Sequence, residues 1–401
     1  MRNIIFISKD ALNYRALPVY GNKFWKTPNI DELAQKGTVF NRHYTAAAST
    51  AMAFTSMSLG KYCYQTDRKD YKNEKAINGD TLFDKLYEQG YACHILWDDT
   101  YTSFAKSHFK CEGLHTQIHS LPHIKQTNTL HHKGQFDENL FDAKETEIAL
   151  EIINNEFKNI AQSATTPIFL WLHLPHVMRG RQGYGSDIDV FDAVIGMARE
   201  IWGDEDIFIS ADHGHMDGAK NKYHYGFDLE DDEIKIPFIA PKIQEYQTVD
   251  FPTSTIQLFE IFSERKIEKM EYVLSETAYY AQPKRKVAVI KDDFKYIYSK
   301  EDKSECLYDL SFDPEEKHNL AYPEFFDVDR YVWYSTVQCF YYPDWEKAIK
   351  VKAELKAIKD AMWKKGSFLD ELYNKILFRL KCLYTKIKMS KPNKTIKNNG
   401  K

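Results

Sequence analysis

The stretch DIFISADHGH, Asp206 to His215, runs from β-branched and aromatic residues straight into an Asp-His-Gly corner. The apolar part reads as a buried strand. Polar groups that follow such a strand sit at its carboxyl end, where parallel α/β sheets bind their ligands. Asp212 and His213 therefore stand where a metal or a substrate is met, and Gly214 gives the chain freedom to turn sharply. An isolated Asp-His pair is as readily a helix cap beside a hydrogen-bonded imidazole. Its place directly after a β-rich strand favours the metal reading.

Working outward, the same grammar repeats. NIIFIS (3–8) is an apolar run that opens the chain and ends at Lys9-Asp10. TPNIDELAQKG (27–37) reads as a helix with Thr27 as cap, Pro28 at the first position and Gly37 as stop. GDTLFDKLYEQGYACHILW (79–97) is a helix, a glycine stop and a strand. DAKETEIALEIINNEFKNIAQ (142–162) is an amphipathic helix before the strand PIFLWLHL (167–174). DIDVFDAVIGMAREIW (187–202) is the helix before DIFISAD. Alternating helices and buried strands predict an α/β fold, a mostly parallel central sheet with helices on both faces. After about Ile243 the pattern changes. Residues 284–310 read as a small antiparallel sheet, and the end of the chain as a helical, basic tail. The expected division is a catalytic domain over 1–265, a small α+β subdomain over 266–330 and a C-terminal extension over 331–401.

The 401 residues are 43% hydrophobic and 28% charged, with net charge −4, which argues against a general nucleic-acid binder. Cysteines 63, 93, 111, 306, 339 and 382 show no CxxC or zinc-knuckle spacing, so they read as unpaired thiols of a reducing compartment. Only a run of four apolar residues, Ile4 to Ile7, precedes Lys9-Asp10, too short for a signal-peptide core, and no run reaches the ~18 apolar residues of a bilayer span. A cytoplasmic protein is expected.

Three strand ends carry candidate ligands: Asp10 after the first, His173 and His176 after FLWLHLPH, and Asp212, His213 and His215 after the last. His224 in KYHYG adds a further imidazole. His173 and His176 are three apart and cannot both point the same way on a strand; His176, beyond the strand end, is the functional choice. Mixed carboxylate and imidazole donors suit one or two divalent ions, Zn or Mn first, with Ca or Mg as alternatives. The segment TAAASTAMAFTSMSLGKY (45–62) is too rich in hydroxyls for a core helix and too apolar for a surface loop. Thr50 within it is either a helix cap or a nucleophile at a helix start.

These pieces, in order, resemble the alkaline-phosphatase/sulfatase superfamily. NIIFISKDAL is similar to its opening metal-binding strand, TPNIDELAQKGTVFNRHY…SLGKY to the run that ends in the nucleophile helix, FLWLHLPH to the strand ending in Pro-His, and FISADHGHMDG…KYHYGFDLEDDEIKIPFIAP to its late metal-ligand block. FKYIYSKEDKSECLYDLSFDPEEKHNLA (294–321) resembles the sulfatase C-terminal subdomain. About 320 of the 401 residues are covered. Two departures matter. Thr50 occupies the place of the Cys or Ser that sulfatases convert to formylglycine, and AMAF follows where x-P-x-R is expected. The acidic pair after the first strand is Lys9-Asp10.

The resemblance implies a metal-dependent hydrolase or transferase of a phosphodiester or substituted phosphate, proceeding through phospho-Thr50. Its metal ligands would be Asp10, Thr50, Asp212 and His213, with His176 and His224 either holding a second ion or assisting the leaving group. Thr50, His176 and His224 are the catalytic candidates. Lys9, Ser49 and His173 are the substrate-binding ones. A sulfatase working without formylglycine and an inactive glycan- or lipid-head-group binder are the alternatives. A surface polysaccharide or lipid-linked precursor is the expected substrate. From Lys375 to Lys401 nine Lys or Arg occur with no acidic residue, and Leu369, Leu372, Ile376, Leu380 and Leu383 share a helical face. That helix either docks on the domain or lies on an anionic inner membrane face through 366–401.

Overall fold

A computed structural model describes residues 1–66, 80–98, 116–121, 143–175, 186–222, 224–278, 281, 285–322 and 342–363. Among them, an eight-stranded sheet runs in the order β5-β4-β6-β1-β7-β8-β2-β9. Its strands are β1 (Ile4–Lys9), β2 (Thr38–Phe40), β4 (Ala92–Asp98), β5 (Thr116–Leu121), β6 (Ile168–Leu174), β7 (Ile207–Ala211), β8 (Phe238–Ala240) and β9 (Thr248–Val249); β3 (His43–Tyr44) and β10 (Thr253–Ser254) form a separate parallel pair. β1 sits between β6 and β7 and is parallel to both. β8 alone breaks the parallel order, pairing antiparallel with β7 and with β2.

Both faces are covered. Ile5 and Ile7 of β1 pack with α1 (Pro28–Lys36), α4 (Ala143–Ser163) and α5 (Ser186–Trp202). Ile4 and Phe6 point the other way, toward α2 (Thr50–Leu59), α3 (Leu82–Glu88) and α7 (Leu258–Glu264). This alternation is the period-2 consequence of a strand buried on both sides. Each fully buried Ile or Phe contributes about 1.5–3 kcal/mol of apolar burial.

A second, antiparallel sheet has the order β11-β12-β13-β14: Val273–Glu276, Lys286–Lys291, Phe294–Ser299 and Glu305–Asp309. The helix α8 (Trp345–Trp363) lays Ala348, Leu355 and Met362 on Val287, Val289 and Tyr296 of that sheet. This described part of the expected C-terminal extension is thus packed on the antiparallel sheet. The basic segment 366–401 lies outside the described residues. No described helix is long and apolar enough to cross a membrane. Among the described residues, Cys93 and Cys306 are free thiols.

Two details differ from the sequence reading. Thr27 makes no side-chain cap; its hydroxyl donates to Asp31 Oδ1 at 3.1 Å. Gly37 does end α1, but its φ of −100° is open to any residue. Glycine is required there because an added Cβ would lie 2.1 Å from the carbonyl oxygen of Ala240. Gly37→Ala is expected to lower the unfolding free energy by about 1–3 kcal/mol in a denaturant titration, through forced separation of α1 from β8.

Candidate active site

The parallel neighbours β6, β1 and β7 end side by side, and their carboxyl ends carry the candidate residues. Asp10 follows β1, and its backbone N–H still donates to Leu174 O of β6 at 2.9 Å. Asp212 and His213 follow β7. The next residue after Asp10, Ala11, has φ of +53°, a conformation that costs a non-glycine residue roughly 1–2 kcal/mol. That backbone aims the Ala11 N–H at Asp212 Oδ1, 2.9 Å away. The same oxygen accepts from the N–H of His213 at 2.8 Å. Asp212 is thereby fixed with its other oxygen turned inward.

Thr50 enters from above as the first residue of α2, with Ser49 in the capping position and no side-chain cap bond from it. Thr50 Oγ1 lies 3.2 Å from His213 Nε2. His213 Nε2 is also 3.6 Å from Asp10 Oδ1 and 3.5 Å from Asp212 Oδ2. His213 Nδ1 lies 2.8 Å from Gly214 O. A carbonyl only accepts, so Nδ1 carries a proton; in the neutral ring Nε2 then holds the lone pair, on the side of Thr50 and the carboxylates. Asp10, Asp212 and His213 offer one ligand atom each within 4.8 Å of one another, and all three are buried.

These groups fit a divalent cation. Burial pushes the Asp212 carboxyl up to about 6; the Asp10 charge adds to this, while His213, the Ala11 N–H and the Thr50 hydroxyl pull it back. Two buried carboxylates side by side are costly unless a cation joins them. The deprotonated Nε2 is the form of imidazole that binds metals. Adding Zn²⁺ or Mn²⁺ at about 100 times its dissociation constant is expected to raise the unfolding free energy by about 2.7 kcal/mol. Asp212→Asn should shrink that rise. Identical melting with and without metal would contradict the fit.

The loop is held from behind. Gly214 N and His215 N donate to Glu233 O and Asp232 O at 2.8 and 2.9 Å, from the short helix α6 (Asp231–Ile234). Gly214 is needed for this approach rather than for a turn, since a Cβ would come within 2.3 Å of Asp232 O. Asn13 Nδ2 ties β1 to the same loop through Asp232 Oδ1 at 2.8 Å and His215 O at 3.1 Å.

The remaining sequence candidates sit elsewhere. Ser49 is buried at the foot of α2. Lys9 was expected to bind substrate; it is buried, and its Nζ donates to Pro175 O at 2.8 Å. His173, expected in the same role, is fully buried with Nδ1 2.9 Å from Ser8 Oγ and its ring edge-on to Phe54. Burial pushes its imidazole down to about 3, so it stays neutral. Ser8 and His173 are register partners on β1 and β6, which is why they face each other. His224 is not one of the ligand atoms of the Asp10 group. Its Nε2 lies 3.4 Å from Asp228 Oδ2, and with Asp228 and Glu233 it makes a second group of ligand atoms within 4.8 Å. His176 lies outside the described residues. Sequence reasoning missed Tyr225, whose exposed ring stacks on His213 with centroids 4.7 Å apart. Its neighbour His224 in KYHYG was the available signal.

Residues 2–177 match the Sulfatase family model. An N-acetylglucosamine-6-O-sulfatase from Bacteroides thetaiotaomicron is 33% identical over 88 residues, 22% of this chain and 15% of that protein. Arylsulfatase K of Danio rerio is 30% identical over 103 residues, 25% of this chain and 19% of the relative. The chain thus spans less than a fifth of the length of these two relatives. Among solved structures, a 2-O GAG sulfatase superposes with TM-score 0.66 at 17% identity, covering 90% of this chain and 91% of the other. The phosphonate monoester hydrolase of Agrobacterium radiobacter gives 0.60 at 16% identity, covering 90% and 96%. At such identities the structures speak for the fold. The chain thus carries a Sulfatase family match over its N-terminal part, and across nearly its whole length it has the fold shared by sulfatases and phosphonate monoester hydrolases.

Proposed function

We propose that this chain is a metal-dependent hydrolase or transferase of substituted phosphate esters, phosphodiesters or phosphonate monoesters, with Thr50 as the nucleophile. The observation that carries the reading is the 3.2 Å contact between Thr50 Oγ1 and the lone-pair nitrogen of His213, beside two buried carboxylates. A hydroxyl that merely caps a helix has no reason to face such a group. Thr50 is moreover inside α2, at its first position, not at the cap.

Asp10, Asp212 and His213 would hold the ion, Zn or Mn on the mixed donor set. Bound there, it supplies charge neutralisation and makes the Thr50 hydroxyl more acidic. The Thr50 proton leaves to water, since His213 Nε2 would be taken up by the ion. Thr50 Oγ1 then forms a bond to phosphorus as the bond to the leaving oxygen breaks, giving phospho-Thr50. The open N–H groups at the start of α2 face the charge that grows on the non-bridging oxygens. His224, paired with Asp228, and His176 are proposed to protonate the leaving oxygen. Attack by water regenerates Thr50 in a hydrolase; an acceptor hydroxyl does so in a transferase. We propose a glycan- or lipid-linked substrate, because the matched relatives include proteins named for glycan sulfate esters.

The family match itself favours a second reading, hydrolysis of a sulfate ester without formylglycine. A panel of aryl phosphate monoesters, phosphodiesters, phosphonates and sulfates, run with and without added Zn²⁺ or Mn²⁺, separates the two. Metal-dependent turnover greatest on a phosphodiester or phosphonate is expected. Turnover confined to the sulfate would transfer the assignment to the second reading. A chain that binds metal at neither addition and turns over no ester would be a binding protein.

A further inference from the structure

Seven of the 14 histidines fall between His94 and His132, far from the sequence motifs of the catalytic centre. Two of them meet within the described structure. His94 on β4 and His119 on the edge strand β5 face the same side of the sheet, with His94 Nδ1 3.2 Å from His119 Nε2. The second nitrogen of His119, Nδ1, lies 3.1 Å from Glu156 Oε2 on α4.

We infer that His94 and His119 form a second transition-metal site, separate from the catalytic centre, with Glu156 as the carboxylate that orients His119. Two imidazole nitrogens bound at 2.0–2.1 Å to one tetrahedral Zn²⁺ stand about 3.3 Å apart, close to the separation already present. A ligating histidine usually gives its other ring N–H to a carboxylate, which fixes its tautomer and makes the free nitrogen more basic. His119 has that partner in Glu156. His94 is buried, and burial together with His119 pushes its imidazole down to about 4, so it is neutral and able to ligate. Glu156 and His119 are partly exposed, with 32% and 24% of their side-chain surface open, so an ion can enter from the solvent side. Water completes the coordination. Imidazole donors select Zn²⁺, Cu²⁺, Ni²⁺ or Co²⁺ over Ca²⁺ and Mg²⁺.

The site is distinct from the first in space as well. His94 is in register with Leu170, and Leu170 with Ile5, five residues before Asp10. At about 3.3 Å per residue this is roughly 16 Å along the strands, and two strands to one side. An ion there would pin the edge strand to β4 and α4, a structural role independent of turnover.

The same pair is also compatible with a plain imidazole–imidazole hydrogen bond, and a titration distinguishes them. Full-length protein is titrated with Zn²⁺ alone in a calorimeter, beside His119→Gln and Glu156→Gln, with circular dichroism to establish that each variant is folded. His119→Gln is expected to bind one equivalent fewer than the parent, and Glu156→Gln to bind that equivalent about 10–100-fold more weakly. Turnover at saturating metal should be the same in all three. Equal stoichiometry in the parent and His119→Gln would overturn the inference. Should His119→Gln fail to fold, Glu156→Gln decides alone: unchanged affinity at every equivalent would overturn it.

Discussion

Thr50→Ala is expected to lower metal-dependent ester turnover by about 10³-fold or more while leaving the melting temperature nearly unchanged. The side chain is only partly buried, and its hydroxyl meets His213 Nε2 and the Asp212 carboxyl. Its loss removes no core packing, and alanine is a good helix former at that position. Steady-state kinetics beside thermal unfolding checks both halves. Activity within tenfold of the parent would remove Thr50 from the chemistry and turn attention to Ser49, one residue earlier. Thr50→Ser should keep part of the activity, because it retains the oxygen.

Lys295→Met is the second large effect, and it acts through stability. Lys295 on β13 is fully buried and donates to Asp231 Oδ1 at 2.7 Å and Leu229 O at 3.1 Å, with Glu316 as a third partner. Glu316 Oε2 in turn accepts from Asp231 N at 2.7 Å. Removing the ammonium leaves two carboxyl groups buried without their cation, so a loss of about 3–5 kcal/mol is expected in denaturant unfolding. The effect should reach the site. Asp231 begins the short helix whose carbonyls hold Gly214 and His215, so loosening it frees the loop that carries Asp212 and His213. A change below about 1 kcal/mol would mean that water replaces the lysine.

The same cluster gives a pH dependence with a definite sign. Burial pushes the Glu316 carboxyl up to about 7, against the pull of Lys295. An unfolded glutamate loses its proton near pH 4.3. The folded chain keeps that proton longer, so this group's contribution is present below the unfolded value and fades as the pH rises through about 7. Glu316→Gln should flatten that part of the stability–pH curve.

Much of the centre was legible because strand ends announce themselves. Asp10, Asp212 and His213 each close a short β-branched run, and parallel neighbours bring such ends together. The helix limits near 28–36, 143–163 and 186–202 followed from caps and apolar spacing. What stayed hidden depends on partners distant in the chain. Lys9 and His173 looked like site residues because they lie at the right strand ends, yet burial was settled by Pro175 and by Ser8 across the sheet. His224 has a histidine's usual promise, and only the fold turns it toward Asp228. TQIHSL mixes polar and apolar residues too evenly to stand out, so the edge strand β5 went unread. Gly37 and Gly214 were visible as glycines, but the carbonyls that forbid a Cβ come from Ala240 and Asp232, some 200 and 20 residues away.

The central claim is that a hydroxyl, two carboxylates and an imidazole act together as a phosphoryl-transfer site. Its most direct measurement is peptide mass spectrometry on enzyme acid-quenched during turnover of an aryl phosphonate. The predicted result is an added phosphonyl mass on the peptide containing Thr50, present with the metal and absent after chelation. An enzyme that turns the substrate over while Thr50 remains unmodified at every quench time would contradict the account.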